Sequence, residues 1–316
     1  MEFQLSNPVI FARCLRCLQE LNDVAYLEIS PNGLYFQVMD DSRISMATYE
    51  LEAKKLPQFQ FFLDENLSVN IPLKSLCSIL FSMGSHDLLT ARILPPYDEI
   101  HLRNDFDAVP HQTSSNVFGE GQMMHSALIV EPDGKAYGKW VLKLLESSKE
   151  RTERRIYIPP VEYPVTALFP TDLLKDIIGT YEKSLTNSIT FTVDYDTKSL
   201  EISPTEETEN TAKETADIED KETSDAYRGG VIRLNTRPDS PSAVVLKFLD
   251  KCPRDAYKLK CSLGLDLMRS LGKLKEIATK NWINLHQEKE IKIQCPVGDL
   301  GNLELYLAQV YNNATL

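Results

Sequence analysis

The alternation of apolar and polar positions is clearest over Pro31 to Leu51. Pro31-Asn32-Gly33 is a turn signal, because Asn and Gly accept positive φ. Beyond it Leu34, Phe36 and Val38 alternate with Tyr35 and Gln37, the period of a strand with one buried face. Asp40-Asp41-Ser42 is a polar break. Ile44, Met46, Thr48 and Glu50 then alternate with Ser45, Ala47, Tyr49 and Leu51 in another strand.

The neighbourhood of this stretch recurs along the chain. Asn7-Pro8 opens a helix, a cap residue followed by proline at the first position. Ile10, Phe11, Cys14, Leu15, Leu18 and Leu21 fall on one face of it, and Arg13 and Arg16 mainly on the other. Strands follow at about 24–29, 34–39 and 44–51. A second helix begins at Pro72, with Leu73, Leu76, Ile79, Leu80 and Met83 at helical spacing, followed by strands at 88–94 and 99–103 joined at Pro95-Pro96-Tyr97-Asp98. A polar loop at about 104–121 precedes strands near 126–130 and 136–145. Residues 147–155 are charged and aperiodic, and three prolines make 156–164 extended.

The second half restarts the pattern. Pro170-Thr171-Asp172 opens a helix carrying Leu173, Leu174, Ile177, Ile178 and Tyr181. A hairpin follows, with strands at 188–193 and 199–203 around a turn at 194–197. Strands are expected again at 230–235 and 243–249. A fourth helix is expected from about 263 to 280, with Leu267, Met268, Leu271, Leu274 and Ile277 inward, then strands at 282–286, 290–295 and 302–309. A helix followed by a hairpin or more thus appears four times. The expected class is α+β in two domains, 1–145 and 165–316, joined by a connector at 146–164. A generic α+β protein with coincidentally similar hairpins would share this pattern.

Composition narrows the reading. The chain has 316 residues, 42% apolar and 25% charged, ordinary for a globular protein of two domains. No run approaches the ~18 apolar residues of a membrane span. The N-terminus lacks a basic segment followed by an apolar one, so the six cysteines are expected as thiols of an intracellular protein. Residues 204–225 hold nine acidic and two basic side chains and too few apolar ones to pack, so an acidic disordered insertion is expected at about 204–226. The formal charge of −12 argues against a generally basic nucleic-acid binder. The four expected helices nevertheless carry nine basic against six acidic residues, leaving −15 for the remainder. Gathered on one surface they would attract phosphates weakly and without reading sequence. Taken singly they are ordinary solvated faces.

No catalytic constellation stands out. Asp40 and Asp41 are adjacent, and neighbours on a strand point to opposite faces. A metal-dependent nucleic-acid enzyme would need further acidic partners. Cys14 and Cys17 lie on an expected helix without a second Cys or His pair, the five histidines are scattered, and no phosphate-binding glycine loop occurs. No metal or cofactor is expected, and the chain reads as a binding or scaffolding protein.

The stretch Asn32-Gly33-Leu34-Tyr35-Phe36-Gln37-Val38-Met39-Asp40-Asp41-Ser42-Arg43-Ile44-Ser45 resembles the eukaryotic-type sliding clamp family, proliferating cell nuclear antigen (PCNA). Asp299-Leu300-Gly301-Asn302-Leu303-Glu304-Leu305-Tyr306-Leu307-Ala308 resembles that family's closing strand. Ile156-Tyr157-Ile158-Pro159 with Glu162-Tyr163 resembles the end of its interdomain connector. The resemblance implies a DNA clamp fold: two similar domains, each of two βαβββ units, with helices lining a central channel and sheets outside. Three subunits would close head-to-tail around duplex DNA. The implied function is a DNA polymerase processivity factor and a platform for replication and repair proteins, nuclear or at a viral replication site, served by a clamp loader. The alternative is one subunit of a heterotrimeric checkpoint clamp in damage signalling.

Carried over residue by residue, the resemblance implies a pocket for short clamp-binding peptides walled by Met39, Arg43 and Met46, by Ile156, Ile158 and Pro159 of the connector, and by Tyr306 and Ala308. Without it, Met39, Met46 and Tyr306 read as core. Arg13 falls on a basic DNA-facing position of the first helix. Arg16, Lys74, Lys175, Arg269 and Lys273 are further candidates by helical face, while Ser78 and Phe81 stand where the family has lysines. Trp140 and Leu200 are expected on the strands that pair between subunits. Gln309-Val310 replaces the family's Pro-Lys, and the connector is partly basic at Lys149, Arg151, Arg154 and Arg155.

Overall fold

The computed structural model describes residues 1–62, 65–84, 88–97, 125–132, 140–144, 155–183, 187–205, 231–234, 244–249 and 258–310. The expected strand at 99–103, the loop at 104–121, the acidic tract beyond Thr205, and connector residues Lys149, Arg151 and Arg154 lie outside them. Two compact units form. The first comprises Met1–Val38, Tyr49–Tyr157 and Asp299–Gly301, and the second Met39–Thr48, Ile158–Gly298 and Asn302–Leu316.

The first unit runs β1 (Glu2–Ser6), α1 (Pro8–Gln19), β2 (Val24–Ser30), β3 (Gly33–Met39), β4 (Ser45–Glu52), β5 (Gln58–Gln60), β6 (Leu67–Pro72), α2 (Leu73–Phe81), β7 (Leu88–Tyr97), β8 (His125–Pro132) and β9 (Trp140–Lys143). The last residue of β3 and the first four of β4 group with the second unit. One sheet has the order β5-β1-β7-β8-β9, and β6, β2, β3 and the Tyr49–Glu52 end of β4 lie side by side in order. Asn7 caps α1 as its sequence predicts: its side chain accepts from the Ile10 amide at 3.2 Å, with Pro8 next in line. The buried stripe of α1 includes Phe11, whose ring centroid lies 6.0 Å from those of both Phe36 and Tyr49. The expected turn at Pro95 to Asp98 is corrected. β7 continues to Tyr97, with its register to β8 shifting between Leu94 and Tyr97, where two prolines cannot donate to the ladder.

The second unit adds β10 (Val165–Pro170), α3 (Thr171–Glu182), β11 (Ser188–Asp194), β12 (Ser199–Pro204), β13 (Ile232–Leu234), β14 (Val245–Phe248), β15 (Lys258–Gly264), α4 (Leu265–Arg269), a 3-10 segment (Ser270–Glu276), β16 (Lys280–Leu285), β17 (Ile291–Pro296) and β18 (Asn302–Leu307). Here β14-β10-β16-β17-β18 lie in order, and a separate sheet has the order β13-β12-β11-β15. The β11–β12 turn is set locally. The Asp194 carboxylate accepts from the amides of Asp196 and Thr197 at 3.0 and 2.9 Å. Thr171 does more than start α3. Its hydroxyl donates to the Ala278 carbonyl and its amide to the Thr279 carbonyl, both at 2.9 Å, tying the helix to the segment before β16.

The fourth helix departs from expectation. Leu263 belongs to β15, where Leu259, Cys261 and Leu263 are buried at period two. Only five residues are α-helical, the next seven tighten to 3-10 around Gly272, and Lys280 already starts β16. Leu265 is buried in place of the expected Leu267, which is half-exposed, while Met268, Leu271 and Leu274 are inward.

Candidate functional surfaces

The helices come first. α1 buries Pro8, Phe11, Ala12, Cys14, Leu15, Cys17 and Leu18 and leaves Arg13 half-exposed and Arg16 exposed. α2 buries Leu73, Leu76, Cys77 and Leu80 and exposes Lys74, Ser75, Ser78 and Phe81. The two helices pack together, with the Cys77 thiol 3.7 Å from the Ala12 carbonyl and the Arg16 guanidinium 5.9 Å from the centre of the Phe81 ring. Burial pushes the Cys77 thiol up to about 12, against the opposing pull of Arg16. Arg13, Arg16 and Lys74 therefore belong to one helix pair without an acidic residue in either helix.

α3 is different. Lys175 is exposed, but so are Asp172, Asp176 and Glu182, so this helix lowers the basic total summed over the four. Lys273 is half-exposed on the 3-10 segment. Arg269 ends α4, and its side chain lies outside the described residues.

Seven of the eight expected pocket residues belong to the second unit and Ile156 to the first. The link between β3 and β4 is a tight loop. The Asp40 carboxylate accepts from the Ser45 amide at 2.7 Å and from the Ser42 hydroxyl, and Arg43 takes φ +60°. The loop turns Ile44 outward, 48% exposed, and the Ile44 carbonyl accepts from the Ala308 amide at 2.9 Å. This brings the C-terminal wall to the first wall. Met46 and Tyr306 are buried, Met39, Ile158 and Ala308 half-buried, and Arg43 and Pro159 exposed. The Tyr306 hydroxyl donates to Glu304 at 2.5 Å. Burial alone would raise the Glu304 carboxyl, but bonds from Tyr306, Gln294 and Lys292 outweigh it and hold it below its ordinary value. Gln309 has a structural use: its amide donates to the carbonyls of His286 and Lys289.

The connector has no regular structure from Arg155 to Tyr163. In the first unit, the Gln37 side chain donates to the Ile156 carbonyl at 3.0 Å and accepts from the Ile156 amide at 2.7 Å. The Arg155 guanidinium lies 4.0 Å from the centre of the Tyr35 ring and 3.5 Å from Glu28. In the second unit, the Tyr163 hydroxyl donates to Glu290 at 3.0 Å. Burial first, and the Glu290 charge second, push the Tyr163 hydroxyl well up. Ile44 and Gln37 are the residues that sequence reasoning did not single out as functional. The only signal for either was its place within the Asn32–Ser45 motif.

Trp140 is half-buried on β9, the last strand of its sheet among the described residues. Leu200 is a correction. It is fully buried on β12, a strand already paired on both sides, with β13 outside it and Leu200 opposite Leu234. Among the described residues the edge therefore belongs to β13.

Residues 1–110 match the family model described as proliferating cell nuclear antigen, N-terminal domain. Over 107 residues the chain is 29% identical to the Drosophila melanogaster protein named Proliferating cell nuclear antigen 2, a match that covers 34% of this chain and 41% of that protein.

Proposed function

We propose, from the PCNA-like sequence of residues 1–110, that the chain is a divergent sliding clamp: a non-enzymatic ring that encloses duplex DNA and holds a polymerase at the primer end. That N-terminal match is the observation that carries the reading, and it includes α1, α2 and the Met39–Met46 loop. Each domain would supply two βαβββ units with its helices toward the DNA. Enclosure supplies retention, so the contacts to phosphate can be weak, as befits Arg13, Arg16 and Lys74 on an otherwise acidic chain. Lys175, Arg269 and Lys273 would add to them. The tethered polymerase then gains from effective concentration rather than from tight binding.

In this reading β9 of one subunit pairs with β13 of the next. Unsatisfied strand edges are a hazard unless they have such a partner. Ile44, Met39, Met46, Ile158, Pro159, Tyr306 and Ala308 form the surface for a short peptide with a glutamine and apolar or aromatic anchors, and the resemblance assigns Arg43 to it as well.

The test is the mass of the purified chain by light scattering, followed by primer extension on primed circular and linear DNA after loading. The expected mass is three times the 35.9 kDa of one chain, with stimulation retained on circles and lost from open ends. A monomer at every concentration would remove the self-closing ring and turn the search toward partner subunits of a heterotrimer.

A further inference from the structure

We infer that Gln37 is the latch that fixes the connector, and that it acts as a positioning residue for Ile156 by holding its backbone. Gln37 is 4% exposed on β3, and a buried amide must find partners for its polar atoms. Both of its donor hydrogens and its oxygen are engaged. The nitrogen donates to the Ile156 carbonyl at 3.0 Å and the Tyr35 hydroxyl at 3.2 Å, and the oxygen accepts from the Ile156 amide at 2.7 Å. Ile156 thus makes both its backbone bonds to one side chain, a single rung of an antiparallel ladder supplied by an amide in place of a strand.

The surroundings make this rung consequential. Arg155 to Tyr163 pairs with no strand, and Pro159, Pro160 and Pro164 cannot donate at all. Because the latch grips backbone, it sets the register of the connector without enclosing the Ile156 side chain, which stays 42% exposed. The Arg155 stack on Tyr35, with its ion pair to Glu28, reinforces the same docking from the preceding residue. Its consequence for a docked peptide rests on the clamp reading above: Ile158 and Pro159 lie two and three residues after Ile156, so a released latch would leave the connector's part of the peptide surface unordered.

The test uses the full chain with Gln37→Met and Gln37→Glu. Methionine fills the space but removes both bonds. A neutral glutamic acid has one donor and one acceptor and can replace the rung, whereas the carboxylate repels the Ile156 carbonyl. In Gln37→Glu, docking therefore raises the pKa of the introduced carboxyl group above its undocked value. Docking of that variant is fully present below the undocked pKa and is lost as pH rises through the docked one. Backbone amide exchange is read at Ile156 against the β2 and β3 amides at mildly acid and neutral pH, each relative to wild type. Exchange at Ile156 is expected to rise about tenfold in Gln37→Met at both pH values, from the loss of two neutral hydrogen bonds. Gln37→Glu should match wild type in acid and Gln37→Met at neutral pH. Ile156 protection unchanged in Gln37→Met, or no pH difference in Gln37→Glu, would overturn the latch. A synthetic peptide with glutamine, aliphatic and paired aromatic anchors should bind Gln37→Met about tenfold more weakly. Unchanged peptide affinity alongside raised exchange would overturn the positioning role. A wild-type chain that ignores the peptide would instead remove the clamp reading, with the exchange data still deciding the latch.

Discussion

Gly301→Ala probes the point where the two family-like motifs meet in the first unit. Gly301 has φ +100°, and a Cβ there would lie 1.9 Å from the Glu50 carbonyl oxygen and 3.3 Å from the Leu51 Cα. The strand cannot retreat. Successive carbonyls of a strand face opposite edges, and on the other edge a Cβ on Gly33, at φ +138°, would lie 2.1 Å from the Leu51 oxygen. The backbone of Glu50 and Leu51 is therefore clasped between two glycines. Holding an alanine in this conformation costs about 1–3 kcal/mol. Displacing the segment also strains the bond from the buried Tyr49 hydroxyl to the Leu300 carbonyl, worth about 0.5–1.5 kcal/mol. The expected loss is roughly 3 kcal/mol once the clash is added. Gly298→Ala is the internal control. It has φ +55° with nothing within 4 Å of the added Cβ, so only the backbone term remains, about 1 kcal/mol. The chain has two tryptophans, Trp140 in the first unit and Trp282 in the second, so urea unfolding in a Trp282→Phe background reads Gly301→Ala in the first unit, and in a Trp140→Phe background it reads Gly298→Ala in the second. If Gly301→Ala shifts the midpoint no more than Gly298→Ala, close approach does not hold this strand in place.

Three further outcomes are expected. Burial raises the thiols of Cys77, Cys261 and Cys295 to about 12 from an ordinary 9.0, so the folded chain keeps protons that the unfolded chain releases. This stability is full below about pH 9 and declines as pH rises toward 12; urea midpoints across that range should fall, less steeply with all three cysteines changed to alanine. Arg16→Glu or Lys74→Glu should reduce the salt dependence of duplex binding by about one phosphate contact each, a slope change of ~0.9, and an unchanged slope would place these residues away from DNA. On the clamp reading, Val141→Lys sets a charge on β9, the last strand of its sheet among the described residues, so light scattering should give one chain in place of the proposed three while Trp140 fluorescence still reports a folded first unit.

Much of the candidate surface was legible as composition but not as placement. Arg13, Arg16 and Lys74 follow from helical spacing, and the structure places all three on the α1–α2 pair. The acidic face of α3 was equally present in its residues, yet a charge total over four helices averaged it away. Gln37 and Ile44 were hidden for a physical reason. One is a polar residue whose partner lies 119 positions away, and the other an apolar residue turned outward by a loop whose bonds run through Asp40.

The sequence by itself determined what depends on near neighbours: the Asn7-Pro8 cap, the amphipathic stripes of α1, α2 and α3, and the hairpin at Asp194. Caps and turns close within a few residues, so side-chain chemistry there outweighs everything farther off. Tertiary structure alone decided the rest. β1 pairs with β7 some ninety residues on, with Phe3 opposite Ala91, and no local period marks so distant a partner. The helical spacing after Leu263 yielded to pairing with β11, which extends β15 to Gly264. Which strand is an edge also depends on what lies beside it: Leu200 reads as a strand residue in either case, and only the docking of β13 makes it interior. Strand order is set by long-range hydrogen bonding and burial, and those are properties of the assembled chain.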